Sequence, residues 1–402
     1  MTIPPTVAGI QSWLDQAPNA ERTGDFRAIR PERMRSFLAH LPTPPAPCTV
    51  AGTKGKGSTV RLIEAAIHAH GRATVSFTSP HVRTVMERWR NDGVNADPRV
   101  IAPLCDRVEA IEQTSGLRLS WFERTFAVAC LLAESRPGCA FICEVGLGGR
   151  LDATNALDAA VAVITHLSHD HREILGPTVW HIAGEKLGVA RPGRPLVIAP
   201  QSHVVTIALR HRILPTIPTV WVQRSVQPFI LALTGQHQQD NAATALAAAR
   251  VMHPGLDEAT ARAGMALTTL DARCQLIEHA GRRLLIDGAH NGPSLGATLH
   301  VAHQLLRPGW TLVLGTAQDK EIAEMQAVIV PETPIVRCGF SSPRARGHND
   351  WPQNMLQLPW FPNVSEALSA TSGDVCVSGS FYLAGEALAV LGGSSTSSTT
   401  GQ

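Results

Sequence analysis

Charged residues are scarce in this sequence. Lys, Arg, Asp and Glu make up 17% of the 402 residues, whereas soluble domains average about 25%. Positive and negative side chains nearly cancel, and the formal net charge is +2. A balance so close to neutral argues against a dedicated nucleic-acid-binding protein, which needs a strong basic patch. Hydrophobic residues still make up 44%, so the composition excludes disorder over the whole chain.

Long apolar runs and paired cysteines are also missing. Stretches such as Ala159 to Ile164 fall far short of the ~20 apolar residues that a membrane span needs. The first residues given carry no basic segment followed by an apolar core, so we do not expect them to form a signal peptide. None of the eight cysteines forms a Cys-x-x-Cys pair, and several lie in apolar, strand-like runs. We therefore expect a cytoplasmic protein with reduced, buried thiols and no membrane partner.

Apolar, strand-like runs alternate with helical patterns along most of the chain. In the first part they lie at residues 48–51, 73–78, 139–145, 160–167 and 195–200. This alternation predicts an α/β fold, in which a parallel sheet is covered on both faces. A second, shorter series begins near Ala272, with strands at residues 282–289, 311–317, 334–339 and 374–380.

The two series predict two domains. Residues 1–271 would form a doubly wound parallel sheet like that of P-loop NTPases. Residues 272–392 would form a smaller, Rossmann-like α/β domain. The low-complexity residues 393–402 are expected to be a disordered tail.

A glycine-rich, basic loop joins the first strand to the helix that follows it. The loop consists of Gly52, Thr53, Lys54, Gly55, Lys56, Gly57, Ser58 and Thr59. Glycines let backbone N–H groups surround phosphate oxygens, and the helix N-terminus adds its dipole. Lys56 can reach the β- and γ-phosphates, and Ser58 can ligate Mg²⁺. The alternative is a basic, glycine-rich turn without a ligand. Within the loop, Lys54 is a second basic residue that we expect only to be solvated.

Three further residues extend the hypothesis of a nucleotide site. Glu144 ends a buried strand, where ligands bind in such sheets and where a carboxylate can hold Mg²⁺. His171 comes just beyond another strand, and Lys186 lies on a helical pattern. A lone histidine near a strand end is more often structural, but its position after a phosphate loop and a strand-end glutamate favours a functional role.

These segments together resemble the folylpolyglutamate synthase/dihydrofolate synthase family of the Mur ligase superfamily. The similarity is collinear over most of the chain. It covers GTKGKGS (52–58), FTSPHVRTVMERWRNDG (77–93), EVGLGGRLDATN (144–155), THLSHDHREILG (165–176), EKLGVARPG (185–193), GQHQQDNAATAL (235–246), IDGAHNGPS (286–294), GTAQDKE (315–321) and SGSFYLAGE (378–386). So many ordered motifs are not expected by chance.

The resemblance implies an ATP-dependent ligase. ATP would phosphorylate a folate-type carboxylate, and the amino group of L-glutamate would attack the acyl phosphate, giving an amide, ADP and phosphate. Lys56 would hold the γ-phosphate, while Ser58 and Glu144 would hold one Mg²⁺. His171 would bind a second Mg²⁺, and Lys186 corresponds to a lysine that the family carbamylates. Carbamylation would turn a cation into an anion able to approach that metal.

The resemblance also assigns roles farther along the chain. Asn241 would lie at the adenine with His237 nearby. Arg273 would cross the domain junction to the phosphates. Asp287 and His290 would contact nucleotide and glutamate. Ser380 would contact glutamate, and His81 would lie near the pterin-bearing substrate. The structural alternatives are an Asx-type turn with a surface histidine at 287–290 and a purely structural His81.

The resemblance further implies a monomer whose two domains are drawn together by ATP and substrate. Some features depart from the family pattern. The segment 202–234 is shorter by roughly twenty residues, a change that surface segments tolerate well. His166 and Lys54 stand where the family has Asn, and His169 adds an imidazole. The acceptor therefore stays open between dihydropteroate and tetrahydrofolate polyglutamates. Other open alternatives are a Mur-type or other amino-acid ligase, a plain ATPase or kinase, and a non-catalytic nucleotide-binding relative.

Overall fold

The computed structural model describes residues 2–23, 31–42, 46–225 and 227–393. The chain divides into two compact units. Unit 1 comprises residues 1–231 and 236–268, and unit 2 comprises residues 232–235 and 269–402. The main division falls close to the boundary predicted at residue 271. Of the predicted tail, Gly393 ends the last helix, and residues 394–402 lie outside the described residues.

Unit 1 is built on a mostly parallel sheet. Its strands are β1 Cys48–Ala51, β2 Thr74–Phe77, β3 Trp89–Asn91, β4 Val94–Asn95, β5 Ala140–Glu144, β6 Val161–Ile164, β7 Leu196–Ile198 and β8 Thr219–Trp221. They lie in the order β4-β3-β2-β5-β1-β6-β7-β8, with β3 antiparallel to both of its neighbours. Because β1 pairs in parallel with both β5 and β6, the loops after these strands leave the sheet side by side. Ligands bind at such points in α/β folds.

Helices cover both faces of this sheet. They are α1 Val7–Leu14, α2 Ala20–Thr23, α3 Glu32–Leu38, α4 Lys56–His68, α5 Pro98–Ser115, α6 Trp121–Glu134, α7 Arg172–Leu175, α8 Val179–Leu187, α9 His203–Arg212, α10 His237–Met252 and α11 Glu258–Ala266. One apolar core includes residues of α1, α3, α5 and α6, and another includes residues of α8 and α9. The central strands are buried along their whole length, which explains their continuous apolar runs.

Unit 2 has its own sheet and core. Its strands are β9 Gln275–His279, β10 Arg282–Ile286, β11 Thr311–Leu314, β12 Ile335–Cys338, β13 Trp360–Phe361 and β14 Val375–Ser378. Their order is β13-β12-β11-β14-β10-β9, and only β9 is antiparallel to its neighbour among the described strands. The helices are α12 Gly292–Leu305, α13 Ile322–Gln326, α14 Val364–Ala370 and α15 Phe381–Gly393. The predicted α/β fold class is confirmed.

The cysteines are all free thiols, and all but Cys139 are buried. Burial raises the pKa of Cys48 to about 12, so this thiol stays protonated near neutral pH. The helices that the structure describes include none with the length and apolar character needed to cross a membrane.

Candidate active site

The phosphate loop after β1 is held by the chain that follows β6. The amides of Thr53 and Lys54 both donate to the carbonyl oxygen of His166, at 3.0 and 3.1 Å. The hydroxyl of Thr165 donates to the carbonyl oxygen of Lys54 at 2.7 Å, and that of Thr53 donates to the carbonyl oxygen of Ser168 at 3.1 Å. The main chain of the neighbouring strand end therefore sets the shape of the loop.

Gly55 occupies a position that strongly favours glycine. Its φ is +84°, and a Cβ atom there would lie 2.2 Å from Oδ1 of Asn241. Asn241 is buried on α10 and donates through Nδ2 to Oε1 of Gln238 at 2.9 Å. The predicted adenine residue thus lies directly against the phosphate loop. His237, the other predicted adenine residue, is exposed at the first position of α10.

The first turn of α4 carries the predicted phosphate and metal residues. Lys56 is partly exposed there, while Ser58 and Thr59 are buried. Glu144, only 3% exposed, accepts a hydrogen bond from the amide of Ser79 at 3.0 Å. Its Oε2 lies 3.3 Å from the place where a Cβ on Gly57 would stand. The carboxylate of Glu144 therefore lies beside the turn that carries the Ser58 hydroxyl.

These oxygen donors suit Mg²⁺, which prefers hard oxygen ligands. The described residues contain no group of three or more His, Cys, Asp or Glu that could hold a metal ion by itself. Mg²⁺ in nucleotide sites usually takes one or two protein oxygens and completes its shell with phosphates and water. The Ser58 and Glu144 pair fits that pattern.

Lys186 is buried behind the phosphate loop. Its side chain lies on α8, is 4% exposed, and donates through Nζ to the carbonyl oxygen of Gly52 at 2.8 Å. Burial, followed by the charge of Lys56, lowers the pKa of Lys186 to about 7. Near neutral pH this amine therefore spends a substantial fraction of its time uncharged.

Lys54 is not merely solvated, as the sequence suggested. Its Nζ lies 3.4 Å from Oδ2 of Asp170, so the loop and the segment after β6 are also joined by charge. The next residue, His171, has a left-handed backbone with φ of +47°, and its amide donates to Oδ1 of Asp170 at 3.1 Å. Its Nδ1 lies 3.8 Å from Oε1 of Glu173. His171 therefore directly follows the segment 165–170, whose residues hold the phosphate loop.

His81 follows β2 on the loop that contains Ser79. Its Nδ1 accepts a hydrogen bond from Nε of Arg88 at 3.0 Å, and its ring stacks on Trp121 with centroids 6.1 Å apart. Burial and then the charge of Arg88 lower the pKa of His81 to about 3. His81 is therefore uncharged at physiological pH.

The predicted residues of unit 2 gather where β10 and β14 end. The carboxylate of Asp287 accepts from the amides of Cys274 and Ala289 at 2.7 and 2.8 Å and from the Thr298 hydroxyl at 2.8 Å. The bond to the Ala289 amide, two residues on, forms the Asx-type turn considered as an alternative. Through these hydrogen bonds, the carboxylate of Asp287 fixes the conformation of this loop.

Phe381 lies at the centre of the remaining unit 2 residues. The guanidinium of Arg273 is 4.4 Å from its ring centroid, and the ring of His290 is 5.8 Å away. Nδ1 of His290 lies 3.0 Å from the carbonyl oxygen of Gly288. The hydroxyl of Ser380, just before α15, accepts from the amide of Tyr382 at 3.1 Å, as a helix-capping residue does.

Sequence reasoning assigned no role to Arg88 or Phe381, although both lie in quoted motifs. Arg88 is fully buried and contacts His81, and the sequence shows only an arginine seven positions after a candidate histidine, which is a weak signal. Phe381 gave no signal, because an aromatic residue that begins a helix is usually part of a core.

A parallel sheet with a phosphate loop, followed by a smaller α/β unit, is the two-domain architecture of the Mur ligases, which are ATP-dependent ligases. The chain is 30% identical to the dihydrofolate synthase/folylpolyglutamate synthase of Escherichia coli (strain K12) over 412 positions, which cover 96% of this chain and 97% of that protein. It is 31% identical to the Mycobacterium tuberculosis (strain ATCC 25618 / H37Rv) enzyme of the same name over 350 positions, 74% of this chain and 70% of that protein.

Solved structures give the same result. A Mycobacterium tuberculosis folylpolyglutamate synthase complexed with ADP has a TM-score of 0.84 and 26% identity, covering 96% of this chain and 98% of that one. The E. coli enzyme FolC in complex with DHPP and ADP has a TM-score of 0.83 and 26% identity, covering 98% and 100%. No family model matches the chain. With these relatives, the chain belongs to the folylpolyglutamate synthase/dihydrofolate synthase family.

Proposed function

We propose that this chain joins L-glutamate both to dihydropteroate and to tetrahydrofolate polyglutamates, using ATP. The observation that carries the proposal is the near-complete match, along both chains, with a relative named for both activities. Ligands of solved relatives support it: DHPP and ADP in one, and Mn, AMPPNP and L-glutamate in another that is 25% identical. The short segment 202–234 removes none of the proposed catalytic residues.

The reaction has two covalent steps. An oxygen of the acceptor carboxylate attacks the γ-phosphorus of ATP, and the bond to the β-phosphate oxygen breaks to release ADP. The glutamate amine then attacks the acyl carbon, the bond to phosphate breaks, and the amine gives up a proton. Since negative charge develops on phosphoryl oxygens, the protein mainly has to position the reactants and neutralise that charge.

Each part of unit 1 has a role in that task. Lys56 and the N-terminus of α4 neutralise phosphate charge. Ser58 and Glu144 hold Mg²⁺, which adds positive charge at the phosphates when bound. Asn241 contacts the adenine, with His237 near it, and His171 provides a nitrogen ligand for a second Mg²⁺. In unit 1, His81 contacts the pterin-bearing acceptor.

Lys186 is carbamylated in the active enzyme under this proposal. Its neutral amine attacks the carbon of CO₂, an N–C bond forms, and one proton leaves for solvent. Two observations support this role: the side chain is almost fully buried, and its pKa is lowered to about 7. The uncharged amine is the nucleophilic form. Carbon-13 NMR of protein held in labelled bicarbonate should show a carbamate signal that the Lys186→Arg variant lacks.

Unit 2 serves L-glutamate and the transferred phosphoryl group. Arg273 and His290 provide the polar contacts, Ser380 contributes to glutamate binding, and Asp287 holds the loop that carries His290. These four residues already share one end of the unit 2 sheet, which supports their common assignment.

The test is phosphate release from ATP and Mg²⁺ in the presence of L-glutamate, with dihydropteroate and separately with tetrahydrofolate. Release with both acceptors is the expected result. Release with only one would restrict the enzyme to a single activity. Release with neither, from protein shown to bind ATP, would contradict the proposal and point to a non-folate acceptor.

A further inference from the structure

A buried arginine connects three separate parts of unit 1. Arg88 lies in the 3₁₀ turn Val85–Arg88 and has no exposed surface. Its NH1 and NH2 groups donate to the two carboxylate oxygens of Glu21 on α2, at 3.1 and 2.6 Å. Its guanidinium carbon lies 4.5 Å from the ring centroid of Trp121 on α6. The remaining donor, Nε, is 3.0 Å from Nδ1 of His81.

The chemistry of arginine determines where the proton of His81 lies. A guanidinium only donates hydrogen bonds and does not lose its proton in proteins. The Nδ1 atom facing Arg88 must therefore be the acceptor, and the ring proton is on Nε2. A second proton on Nδ1 would remove this bond and place two cations in contact.

Charged groups on the surrounding elements are engaged with other partners. Glu21 pairs with Arg88. Glu87 accepts from the amides of Val82 and Arg83. Asp15 accepts from the indole of Trp121. Within the described part of the chain, no hydrogen bond is made to Nε2 of His81, so its N–H group is available to a ligand.

We propose that Arg88 is a positioning residue that fixes His81 as the Nε2–H tautomer, so that His81 presents an uncharged donor to a ring oxygen or nitrogen of the pterin-bearing acceptor. The proposal rests on the proposed folate-type substrate. Ser79, two residues before His81, donates its amide to the metal-site carboxylate Glu144. The same short loop therefore supports the Mg²⁺ ligand and carries the donor for the acceptor.

The tautomer of His81 in the wild-type protein provides the first test. Nitrogen-15 NMR of histidine-labelled protein, with the His81 signals assigned by their loss in His81→Gln, distinguishes the two tautomers. We expect the Nε2–H form at neutral pH and no change of charge across the range in which free histidine titrates. An Nδ1–H tautomer, or protonation of His81 in that range, would overturn the proposal.

Variants at Arg88 test the effect on the substrate. Arg88→Met should release the tautomer restraint and raise KM for the acceptor about three- to tenfold, as expected for a weakened hydrogen bond. KM for ATP should not change. Arg88→Lys should restore part of the effect, because an ammonium can still donate to Nδ1. In a His81→Ala background, Arg88→Met should raise the acceptor KM no further.

Arg124 provides a matched control. Its guanidinium carbon lies 4.8 Å from the ring centroid of Trp13 and its Nε donates to Glu112 at 3.0 Å, so it is also a mostly buried, ion-paired arginine over an indole. Arg124→Met should lower stability without changing the His81 spectrum or the acceptor KM. An equal rise in KM in this variant would mean that Arg88 acts only through stability.

The failure of this inference is distinguishable from the failure of the proposed function. Loss of the tautomer in Arg88→Met with an unchanged acceptor KM would overturn the role of His81 while ligation by the wild type continued. Absence of ligation by the wild type with either acceptor would overturn the proposed function and the presentation of His81 to a pterin. The NMR result on the tautomer would then stand by itself.

Discussion

The two lysines of the phosphate loop have different surroundings. Lys54 is paired with Asp170, whereas Lys56 begins α4, where phosphate oxygens would lie. We predict that Lys56→Met lowers kcat/KM about 10²- to 10³-fold, the usual cost of removing one group that stabilises developing charge.

Lys54→Met serves as the control, because it removes an equal charge from the same loop. Its effect on kcat/KM should stay below about tenfold, because an ion pair between partly exposed side chains contributes little to the stability of the loop. Coupled measurement of ADP release provides both values. Equal losses in the two variants would contradict the assignment of Lys56 to the γ-phosphate.

Gly55 tests the contact between the loop and α10. Gly55→Ala must place a Cβ on Asn241 and adopt a positive φ, so we expect nucleotide affinity to fall at least about tenfold, or roughly 1.4 kcal/mol. Gly71, just beyond the other end of α4, also has a positive φ (+75°), but a Cβ there would meet nothing within 4 Å. Gly71→Ala therefore shares the backbone strain without the clash. Titration of ADP by calorimetry should show weaker binding only for the Gly55 variant.

The local structure around candidate site residues was predicted well where those residues are consecutive in the sequence. The phosphate loop and the strand-end Glu144 were placed from sequence because their chemistry depends on a strand–loop–helix order that the sequence displays. The environment of His81 could not be predicted, because Glu21 precedes Arg88 by 67 positions and only the fold brings α2, the 3₁₀ turn and α6 together. The pairing of Lys54 with Asp170, over 116 positions, was missed for the same reason.

At the scale of elements, Asp287 joins three segments of unit 2. It binds the amide before β9, the turn after β10 and the hydroxyl of Thr298 on α12. Asp287→Asn should lower the free energy of unfolding by about 1–3 kcal/mol, because one carboxylate oxygen becomes an N–H donor that faces an amide N–H.

Thr298→Val separates this structural role from catalysis. It removes one donor, costs about 0.5–1.5 kcal/mol, and leaves the two amide bonds to Asp287. Chemical denaturation measures the stability of both variants, and phosphate release measures their activity. If Thr298→Val keeps full activity while Asp287→Asn loses more activity than its stability explains, Asp287 also acts in the reaction.

Asp374 lies just before β14. Its carboxylate accepts hydrogen bonds from the amide of Arg283 on β10 and from the amide of Arg307, which follows α12. Burial raises its pKa, but hydrogen bonds from the Arg307 side chain and from the amides of Arg283 and Arg307 outweigh this and lower the pKa to about 2. Because the folded pKa lies below the ordinary value of 3.8, the stabilisation is fully present above pH 3.8 and is lost as pH falls through about 2. Asp374→Asn should therefore be less stable than wild type at neutral pH, and the difference should shrink toward pH 2. If the denaturation midpoints of Asp374→Asn and the wild type differed by a constant amount over this range, the prediction would be contradicted.

The apolar central strands were predicted because burial on both faces leaves a continuous apolar run. Strand β9 was not, because this antiparallel edge strand alternates partly buried and exposed residues and its sequence, QLIEH, has no such run. Helix α1 was also missed, since its amphipathic pattern covers only Val7–Leu14.

At the scale of the whole molecule, nucleotide binding should have a regional signature. We predict that ADP with Mg²⁺ slows amide exchange in unit 1 at residues 52–59, around Ser79 and in the segment 165–171, because these contact or support the phosphate loop. At a hundred times its dissociation constant, the ligand should stabilise the folded protein by about 2.7 kcal/mol. Hydrogen exchange followed by mass spectrometry checks the location, and thermal unfolding checks the size. Protection confined to residues 287–292 would contradict the placement of the nucleotide site in unit 1.

The architecture was predictable because several motifs occur in the sequence in one order, and all of them are consistent with the same two-domain α/β fold. Composition contributed mainly by exclusion, since a net charge of +2 and short apolar runs remove whole classes of partner. The preference between the two folate-type acceptors was not predictable. It depends on surfaces such as the His81 loop, where the spatial environment rather than the residue type decides what is presented to a ligand.

The carbonyl of His166 receives both amide bonds that shape the phosphate loop. Every amino acid carries the same carbonyl, so this support is independent of which side chain stands at position 166. The exchange of the family's usual asparagine for histidine therefore leaves the scaffold of the loop in place. A substitution at position 166 that keeps the backbone in place should therefore leave both of these loop-shaping bonds intact, whatever it changes in the side-chain contacts.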